Sequence, residues 1–268
     1  MVLLMINRLA FVLVRIFLVA ILLICPASPL AAKQSHQLLF DQALKESKEG
    51  NYSVALQIWS QLLESFPNDA LAWSNQGNVR FALGDVEGAI ADQTKSIQIL
   101  PNEVDSHLNR GIAEEALKLW DAAENDYSWI LQHEPDNPYA LYNLGNVQVA
   151  QKNWIEAKAL FGKVFLEDSE FILARSSHAL STYQLGKFDD AESELRLIIR
   201  KYPMFADARA ALSALLWRKG FFGEAESHWA AASGLDNRYG NKNWLVNVRR
   251  WPPLPIQDLL AFLDLESP

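Results

Sequence analysis

The sequence predicts an all-α protein made of six stacked helix pairs. The main evidence for this fold class is a 34-residue unit that recurs without insertion or deletion. In addition, every unit has a small residue at its eighth place and alanine at its twentieth. Two helices that cross closely leave no room at the contact for a side chain larger than a methyl group. The units begin at His36, Ala70, Val104, Pro138, Ile172 and Ala206, and the last ends at Tyr239.

The second unit, residues 70–103, shows how each pair is built. Helix-period segments at Leu71–Leu83 and Val86–Leu100 flank a Gly-Asp turn, and Pro101 closes the unit. Helices of about 13 residues are marginal in water without tertiary packing. We therefore expect every unit to depend on its neighbours for stability.

The turn between the two helices carries glycine in four units and lysine in the third and fourth. Glycine fits the left-handed conformation that commonly ends a helix, and lysine tolerates that conformation less well. Two places later, a large apolar residue is expected to plug each helix pair. The turn residues are Gly50, Gly84, Lys118, Lys152, Gly186 and Gly220.

These columns resemble the tetratricopeptide repeat, which is 34 residues long. Its first helix has an aromatic-leucine-glycine-tyrosine pattern and its second an alanine-aromatic-proline pattern. The resemblance implies a right-handed α-solenoid of six helix-turn-helix units, with first helices lining a concave groove and second helices facing outward. Stability is then close to a sum of nearest-neighbour interfaces. The implied units are 36–69, 70–103, 104–137, 138–171, 172–205 and 206–239.

The composition indicates a folded, acidic protein. Half of the residues are apolar, including nine Trp and thirteen Phe, which is ample material for a core. The net charge is −8 and no run of Lys and Arg occurs, so nucleic acid is not an expected partner. Cys25 is the single cysteine, which excludes an intrachain disulfide and a thiolate zinc site.

Residues 1–32 have the layout of a secretory signal peptide. Arg8 and Arg15 precede an apolar core that ends at Cys25, and small residues follow. Cleavage after Ala27 and cleavage after Ala32 fit equally well. A membrane anchor is the alternative, although the apolar run is short for a span of about 20 residues. We expect an exported protein that contacts the membrane only through this segment, if it is not cleaved.

The period stops after Tyr239, and residues 240–268 form a C-terminal capping segment or tail. The segment Asn243–Arg250 predicts one more helix packed on the sixth unit, with Trp244, Leu245 and Val248 on one face. Three prolines between residues 252 and 255 end that helix and are expected to force an extended path.

A short amphipathic helix is then predicted at Ile256–Leu265. The tail either covers the exposed end of the solenoid, or folds back into the groove or docks a partner. Its Arg-Arg-Trp-Pro-Pro run and Leu-Leu-x-Phe-Leu helix also resemble the tail of exported tetratricopeptide proteins of cyanobacteria and the thylakoid lumen.

The sequence holds no recognisable catalytic or metal-binding motif. The five histidines occupy different places of the repeat and no two lie three or four residues apart, so no metal site is expected. His107 and His178 replace apolar packing residues and are expected at buried helix interfaces. Adjacent carboxylates at 114–115 and 189–190 point apart and are expected to be solvated. No phosphate loop or nucleophile elbow occurs, so no cofactor and no enzymatic activity are expected.

The concave face is the predicted binding site. The resemblance places the second, fifth, ninth and twelfth positions of each first helix there, and these positions are mostly apolar and aromatic. Exposed aromatic side chains in a concave surface commonly anchor a partner, so we predict that an extended or helical segment of another protein binds. The predicted contact residues are Leu71, Asn78, Phe81, Leu108, Ile112, Tyr139, Tyr142, Asn146, Leu180, Tyr183 and Trp217.

Some members of the family clamp the carboxylate end of chaperone tails with two lysines, two asparagines and an arginine. Asn78 and Asn109 match the asparagine pair, but Ser74, Tyr139 and Asn143 stand where the clamp carries cations. Without cations the clamp loses its charge-assisted hydrogen bonds. A chaperone tail is therefore not an expected ligand.

These observations together predict an exported, non-catalytic scaffold that binds a protein or peptide. Assembly or maintenance of a membrane complex from the periplasmic or thylakoid-lumenal side fits the resemblance of the tail. The alternative is a carrier or sensor that holds a small apolar ligand in the groove. The sequence leaves the partner and the oligomeric state open.

Overall fold

A computed structural model describes residues 29–168 and 170–266, which form helices and turns with no β-strand among them. The predicted signal peptide lies almost wholly outside this range and stays a prediction. In the described part of the chain, no helix is long and apolar enough to cross a bilayer. The six pairs are α1 (Pro29–Lys48) and α2 (Tyr52–Ser65), α3 (Ala70–Ala82) and α4 (Val86–Ile99), α5 (Val104–Ala116) and α6 (Trp120–His133), α7 (Pro138–Ala150) and α8 (Trp154–Glu167), α9 (Ile172–Gln184) and α10 (Phe188–Lys201), α11 (Ala206–Arg218) and α12 (Phe222–Leu235).

Side-chain caps fix several of the helix starts. Asp69 accepts a hydrogen bond from the backbone N–H of Ala72 at 2.9 Å, and Asp85 accepts one from Gly88 at 3.0 Å. These bonds satisfy backbone donors that have no partner within the helix. These caps fix the starts of α3 and α4, and both helices lie within one residue of the predicted segments.

Successive helices pack on one another along the whole stack, and several first helices also touch across units, α3 with α5 and α5 with α7 among them. The first helices of several neighbouring units therefore lie side by side. This arrangement confirms the predicted all-α solenoid of helix pairs.

The small residue at the eighth place makes the close crossing within each unit possible. A Cβ atom added to Gly111 would lie 2.7 Å from Cε1 of Tyr127, and one added to Gly145 would lie 2.6 Å from Cε1 of Phe161. The alanine at the twentieth place is at most 1% exposed in all six units. The predicted steric reason for both columns is therefore confirmed.

The turns adopt the predicted left-handed conformation. The four turn glycines have φ between +75° and +84°, while Lys118 and Lys152 have φ of +60° and +65°. The backbone thus keeps one geometry at this place whether or not the side chain suits it.

Replacing Lys118 or Lys152 by glycine is expected to raise the free energy of unfolding by about 0.5 to 1 kcal/mol. Glycine removes the steric cost of the left-handed conformation, and its greater freedom in the unfolded chain offsets part of the gain. Urea unfolding measures the change. The matched control is Gly84→Lys, which should lower the free energy of unfolding by a similar amount. A Lys118→Gly protein that is less stable than the wild type would contradict this account.

Both predicted interface histidines lie between helices. His107 is buried, its ring stacks on Trp129 at 3.8 Å, and its Nδ1 lies 2.7 Å from Asp126. The half-buried His178 lies 2.8 Å from Glu194 on the second helix of its unit. These contacts confirm that the two residues take part in helix packing.

The solvated state expected for Glu114 and Glu115 is wrong. The two side chains are 8% and 2% exposed, whereas Asp189 and Asp190 are exposed as expected. A helix inside a solenoid packs on more than one side, so neighbouring residues can both be buried. Burial, reinforced by Asp126 and opposed by Arg110, raises the pKa of Glu114 to about 7.

We expect Glu114→Gln to stabilise the protein at pH 8 by about 2 kcal/mol. Because burial raises its pKa in the folded state, Glu114 favours folding fully below its ordinary pKa near 4.5, and that contribution is lost as the pH rises through about 7. Urea unfolding should show that the variant is as stable as the wild type at pH 4.5 and more stable than the wild type at pH 8. Asp190→Asn is the exposed control, and an equal gain at both pH values would refute this assignment.

Candidate functional site

The C-terminal segment, residues 237–266, returns over the first helices of the last two units. It begins with a 3₁₀ turn at Asn237–Gly240, continues through short irregular helical turns at 242–249, and ends in helix α13 (Pro253–Glu266). Helix α13 packs on α9 and α11. Of the two predicted positions for the tail, it therefore occupies the concave groove of the fifth and sixth units.

Two expectations for this segment are wrong in detail. The predicted helix at Asn243–Arg250 is present at residues 242–249, with a π-helical second half, but its predicted face is wrong, because Leu245 is buried while Val248 is 64% exposed. Pro253 and Pro255 lie in the first turn of α13 instead of an extended path. Proline is tolerated there, because the first helical N–H groups have no partner within the helix.

A fully buried carboxylate anchors the start of the segment. Asp207 is 0% exposed, and its Oδ1 accepts hydrogen bonds from Nε of Arg249 at 2.7 Å and from Nε1 of Trp251 at 2.9 Å. Its Oδ2 accepts from Nη2 of Arg249 and from the Ser176 hydroxyl. The carboxylate thus joins α9, α11 and the C-terminal segment.

A second carboxylate anchors helix α13 itself. Asp258 accepts hydrogen bonds from the Tyr183 hydroxyl at 2.7 Å and from both Nε and Nη2 of Arg218, the latter at 2.7 Å. Burial and the bond to Asp258 raise the pKa of Tyr183, so it stays a protonated donor. Phe262 adds apolar contact, with its ring 5.8 Å from that of Trp217.

A third contact reaches across the groove to the third unit. Nη1 of Arg250 donates to Oε2 of Glu115, whose other oxygen accepts from the Tyr127 hydroxyl at 2.5 Å. Arg250 has a φ of +58°, which turns the chain between the irregular turns and α13. The C-terminal segment therefore touches the concave face from the third unit to the sixth.

The predicted contact residues differ in how accessible they are. Leu180 and Tyr183 are at most 1% exposed, and Trp217 packs against α13, so none of them is free while the segment stays in place. Tyr142 is half-buried, with its ring 5.6 Å from Phe161 and 5.0 Å from Phe171. The residues at the open end of the groove, here called the open face, are Leu71, Asn78, Phe81, Leu108, Ile112 and Tyr139.

The open face combines exposed apolar side chains with one oriented amide. Leu71, Phe81 and Tyr139 are 50%, 37% and 60% exposed. Nε2 of Gln93 donates at 2.9 Å both to Oδ1 of Asn78 and to the carbonyl of Ser74. Gln93 replaces the large apolar residue that other units carry, and this departure from the repeat is the sequence signal for the polar contact.

A metal centre is not assembled here: within residues 29–168 and 170–266 no three His, Cys, Asp or Glu side chains come close enough to hold an ion. The open face also lacks the cations of the chaperone clamp, since Ser74 is buried and Tyr139 carries no charge. Its chemistry is that of apolar contact with directional amide hydrogen bonds.

Comparison with known proteins identifies the repeat. The tetratricopeptide repeat family model matches residues 40–104, 108–162 and 177–236. Among curated proteins, Hsp70-Hsp90 organizing protein 3 of Arabidopsis thaliana is 29% identical over 90 residues, 34% of this chain and 16% of its own length. RNA polymerase II-associated protein 3 of Xenopus tropicalis is 25% identical over 176 residues, 62% of this chain and 27% of its own length.

Solved structures share the fold at low identity. A tetratricopeptide repeat protein from Parabacteroides merdae has a TM-score of 0.66 and 18% identity over 85% of this chain and 98% of its own. The pilF protein of Pseudomonas aeruginosa has a TM-score of 0.65 and 18% identity over 86% of this chain and 98% of its own. The tetratricopeptide repeat that the family model matches is consistent with a scaffold for protein interactions. Since the family model matches more than half of its residues, this chain belongs to the tetratricopeptide repeat family.

Proposed function

We propose that the protein is a non-catalytic scaffold whose open face binds an extended or helical segment of a partner protein. The observation that carries this proposal is the open face itself, where Leu71, Phe81 and Tyr139 stay exposed on a concave wall. A contiguous apolar patch with polar groups interspersed is the usual mark of an interaction surface.

The occupied half of the groove indicates what kind of segment fits. There, α13 inserts the apolar side chains of Ile256, Leu259 and Phe262, which are at most 5% exposed, and a single carboxylate, Asp258, accepts hydrogen bonds from the wall. The open face has the same alternation of apolar positions and a hydrogen-bonding group, Asn78. We therefore expect an amphipathic segment that presents apolar anchors to Phe81 and Tyr139.

Export is the second part of the proposal. Its support is the signal-peptide layout of residues 1–32 and the resemblance of the tail to exported proteins. A scaffold on that side of a membrane would serve the assembly or maintenance of a membrane complex. Fusing residues 1–35 to a reporter enzyme that is active only after export tests the first step, and an inactive fusion would refute it.

Photocrosslinking from the open face tests partner binding. A benzophenone amino acid at Phe81 or at Tyr139 should capture the same protein in intact cells, because both positions face one groove. The control position is Leu197, which is 46% exposed on the second helix α10. Alanine at both Leu71 and Ile112 should lower the yield of that adduct at least fivefold, by removal of two apolar contacts.

Two results would contradict the proposal. One is capture of the same protein from Leu197 as from the open face. The other is an adduct yield that does not change in the Leu71→Ala, Ile112→Ala variant while that variant keeps its wild-type unfolding midpoint.

A further inference from the structure

A cavity of about 640 Å³ lies where the C-terminal segment crosses the third and fourth units. Its walls are mainly apolar and aromatic, and they come from both the solenoid and the segment. That volume lies within the range of small-molecule sites. The apolar lining includes Trp120, Val149, Trp154, Val246, Trp251 and Pro253.

Three cations surround this cavity, and each has an unfavourable backbone conformation. Lys118, Lys152 and Arg250 are the non-glycine residues with positive φ in the described part of the chain, and all three line the cavity. Strained backbone of this kind is unfavourable and clusters at binding sites. In the other four units the same turn has glycine, so lysine occurs only beside the cavity.

The two lysines have no ion-pair partner in the part of the chain that the structure describes. Neither ammonium group forms an ion pair with any acid among residues 29–168 and 170–266. Arg250 pairs with Glu115, the one carboxylate in the lining. The cavity is therefore positively charged overall in a protein of net charge −8.

A polar side chain on the cavity wall is also available to a ligand. Asn146 lines the cavity and is 6% exposed, and its amide makes no hydrogen bond to any residue that the structure describes, although it is not enclosed away from solvent. A polar atom of a bound molecule can therefore replace water as its partner.

We infer that this cavity binds a small organic anion, a carboxylate with an apolar or aromatic body. The body lies against the tryptophan-lined wall, the anionic group pairs with Lys118 and Lys152, and Asn146 contributes a hydrogen bond. This site is separate from the open face, and it also depends on the C-terminal segment, which supplies Val246, Arg250 and Trp251.

Two fluorescent probes of matched shape test the inference on the full chain. The first is 1-anilinonaphthalene-8-sulfonate, an aromatic body with one anionic group, and the second is N-phenyl-1-naphthylamine, the same body without it. In the Lys118→Gly, Lys152→Gly variant, the Kd of the sulfonate should rise at least tenfold and that of the neutral probe should change less than twofold. Glycine suits both turns, so this variant is expected to fold.

Two further variants serve as controls. Lys48→Ala with Lys95→Ala removes two exposed lysines elsewhere and should leave both affinities unchanged. Ala150→Trp places a large side chain at an exposed position of the lining and should raise the Kd of both probes at least tenfold. In the wild type, decanoate should displace the sulfonate, whereas acetate at the same concentration should not.

The inference is overturned if the lysine-to-glycine variant binds the sulfonate as tightly as the wild type does. Equal loss of both probes in that variant overturns it too, because the lysines would then act on the shape of the cavity and not on charge. Unchanged binding in the Ala150→Trp variant also overturns it, since the probes would then occupy another surface.

Discussion

Replacing Asp207 by alanine is expected to lower the free energy of unfolding by about 3 to 5 kcal/mol. The substitution leaves the guanidinium of Arg249, which is 8% exposed, buried without a counter-charge. It also removes the acceptor of the Trp251 indole N–H and of the Ser176 hydroxyl. Urea unfolding followed by tryptophan fluorescence measures the loss.

A double substitution separates the charge from the packing. Asp207→Leu with Arg249→Met removes both charges and should cost less than Asp207→Ala alone, because no unpaired charge remains in the interior. Asp189→Ala, at an exposed carboxylate, should change stability by no more than about 0.5 kcal/mol. A loss below about 1 kcal/mol for Asp207→Ala would show that this ion pair does not hold the segment.

Deletion of residues 252–268 is expected to destabilise the fifth and sixth units by at least about 4 kcal/mol. Ile256, Leu259 and Phe262 are buried against those units, and burying such a side chain is worth about 1.5 to 3 kcal/mol. The deletion also removes Asp258 and leaves Arg218 and Tyr183 without their acceptor. Because each unit of a solenoid contacts mainly its neighbours, the first three units should keep their stability.

Amide hydrogen exchange tests this distribution. In the truncated protein, amide protection should fall in α9 and α11 and stay unchanged in α3 and α5. The control is Asp264→Ala, at an exposed position of α13. A uniform loss of protection along the chain would contradict the nearest-neighbour account.

The same deletion shows whether the segment competes with a partner. If it only stabilises the last units, crosslinking from Phe81 and Tyr139 stays as in the full chain. If it also blocks binding, a benzophenone at Trp217 captures the partner in the truncated protein and not in the full chain. Trp217 suits this purpose because its ring contacts Phe262 of α13 in the full chain.

The repeat and its helices follow from the sequence because they depend on contacts that recur at fixed spacing. Gly111 and Tyr127 meet within one unit, as Gly145 and Phe161 do in the next, so one pattern read repeatedly predicts both. The turn geometry at Lys118 was predicted in the same way, from the glycine that other units have there. For the open face, the periodic positions predict Phe81 and Tyr139 as contact residues, and both side chains are exposed.

The buried state of Glu115 could not be predicted in this way. Its environment depends on Arg250, which is 135 residues away in the sequence and outside the repeat. The helix that carries Glu115 does not by itself determine whether the carboxylate is solvated. The same limit applies to Tyr183, whose hydroxyl meets Asp258 across 75 residues.

The sequence by itself thus determined the all-α solenoid of helix pairs, because it rests on local packing that repeats every 34 residues. Only the tertiary structure decided that the C-terminal segment fills the groove of the fifth and sixth units and encloses a cavity with the third and fourth. The pairs that place it, Arg249 with Asp207 across 42 residues and Arg250 with Glu115 across 135, occur once each. A contact that occurs once leaves no periodic signal, so its partners become known only when the folded chain brings them together.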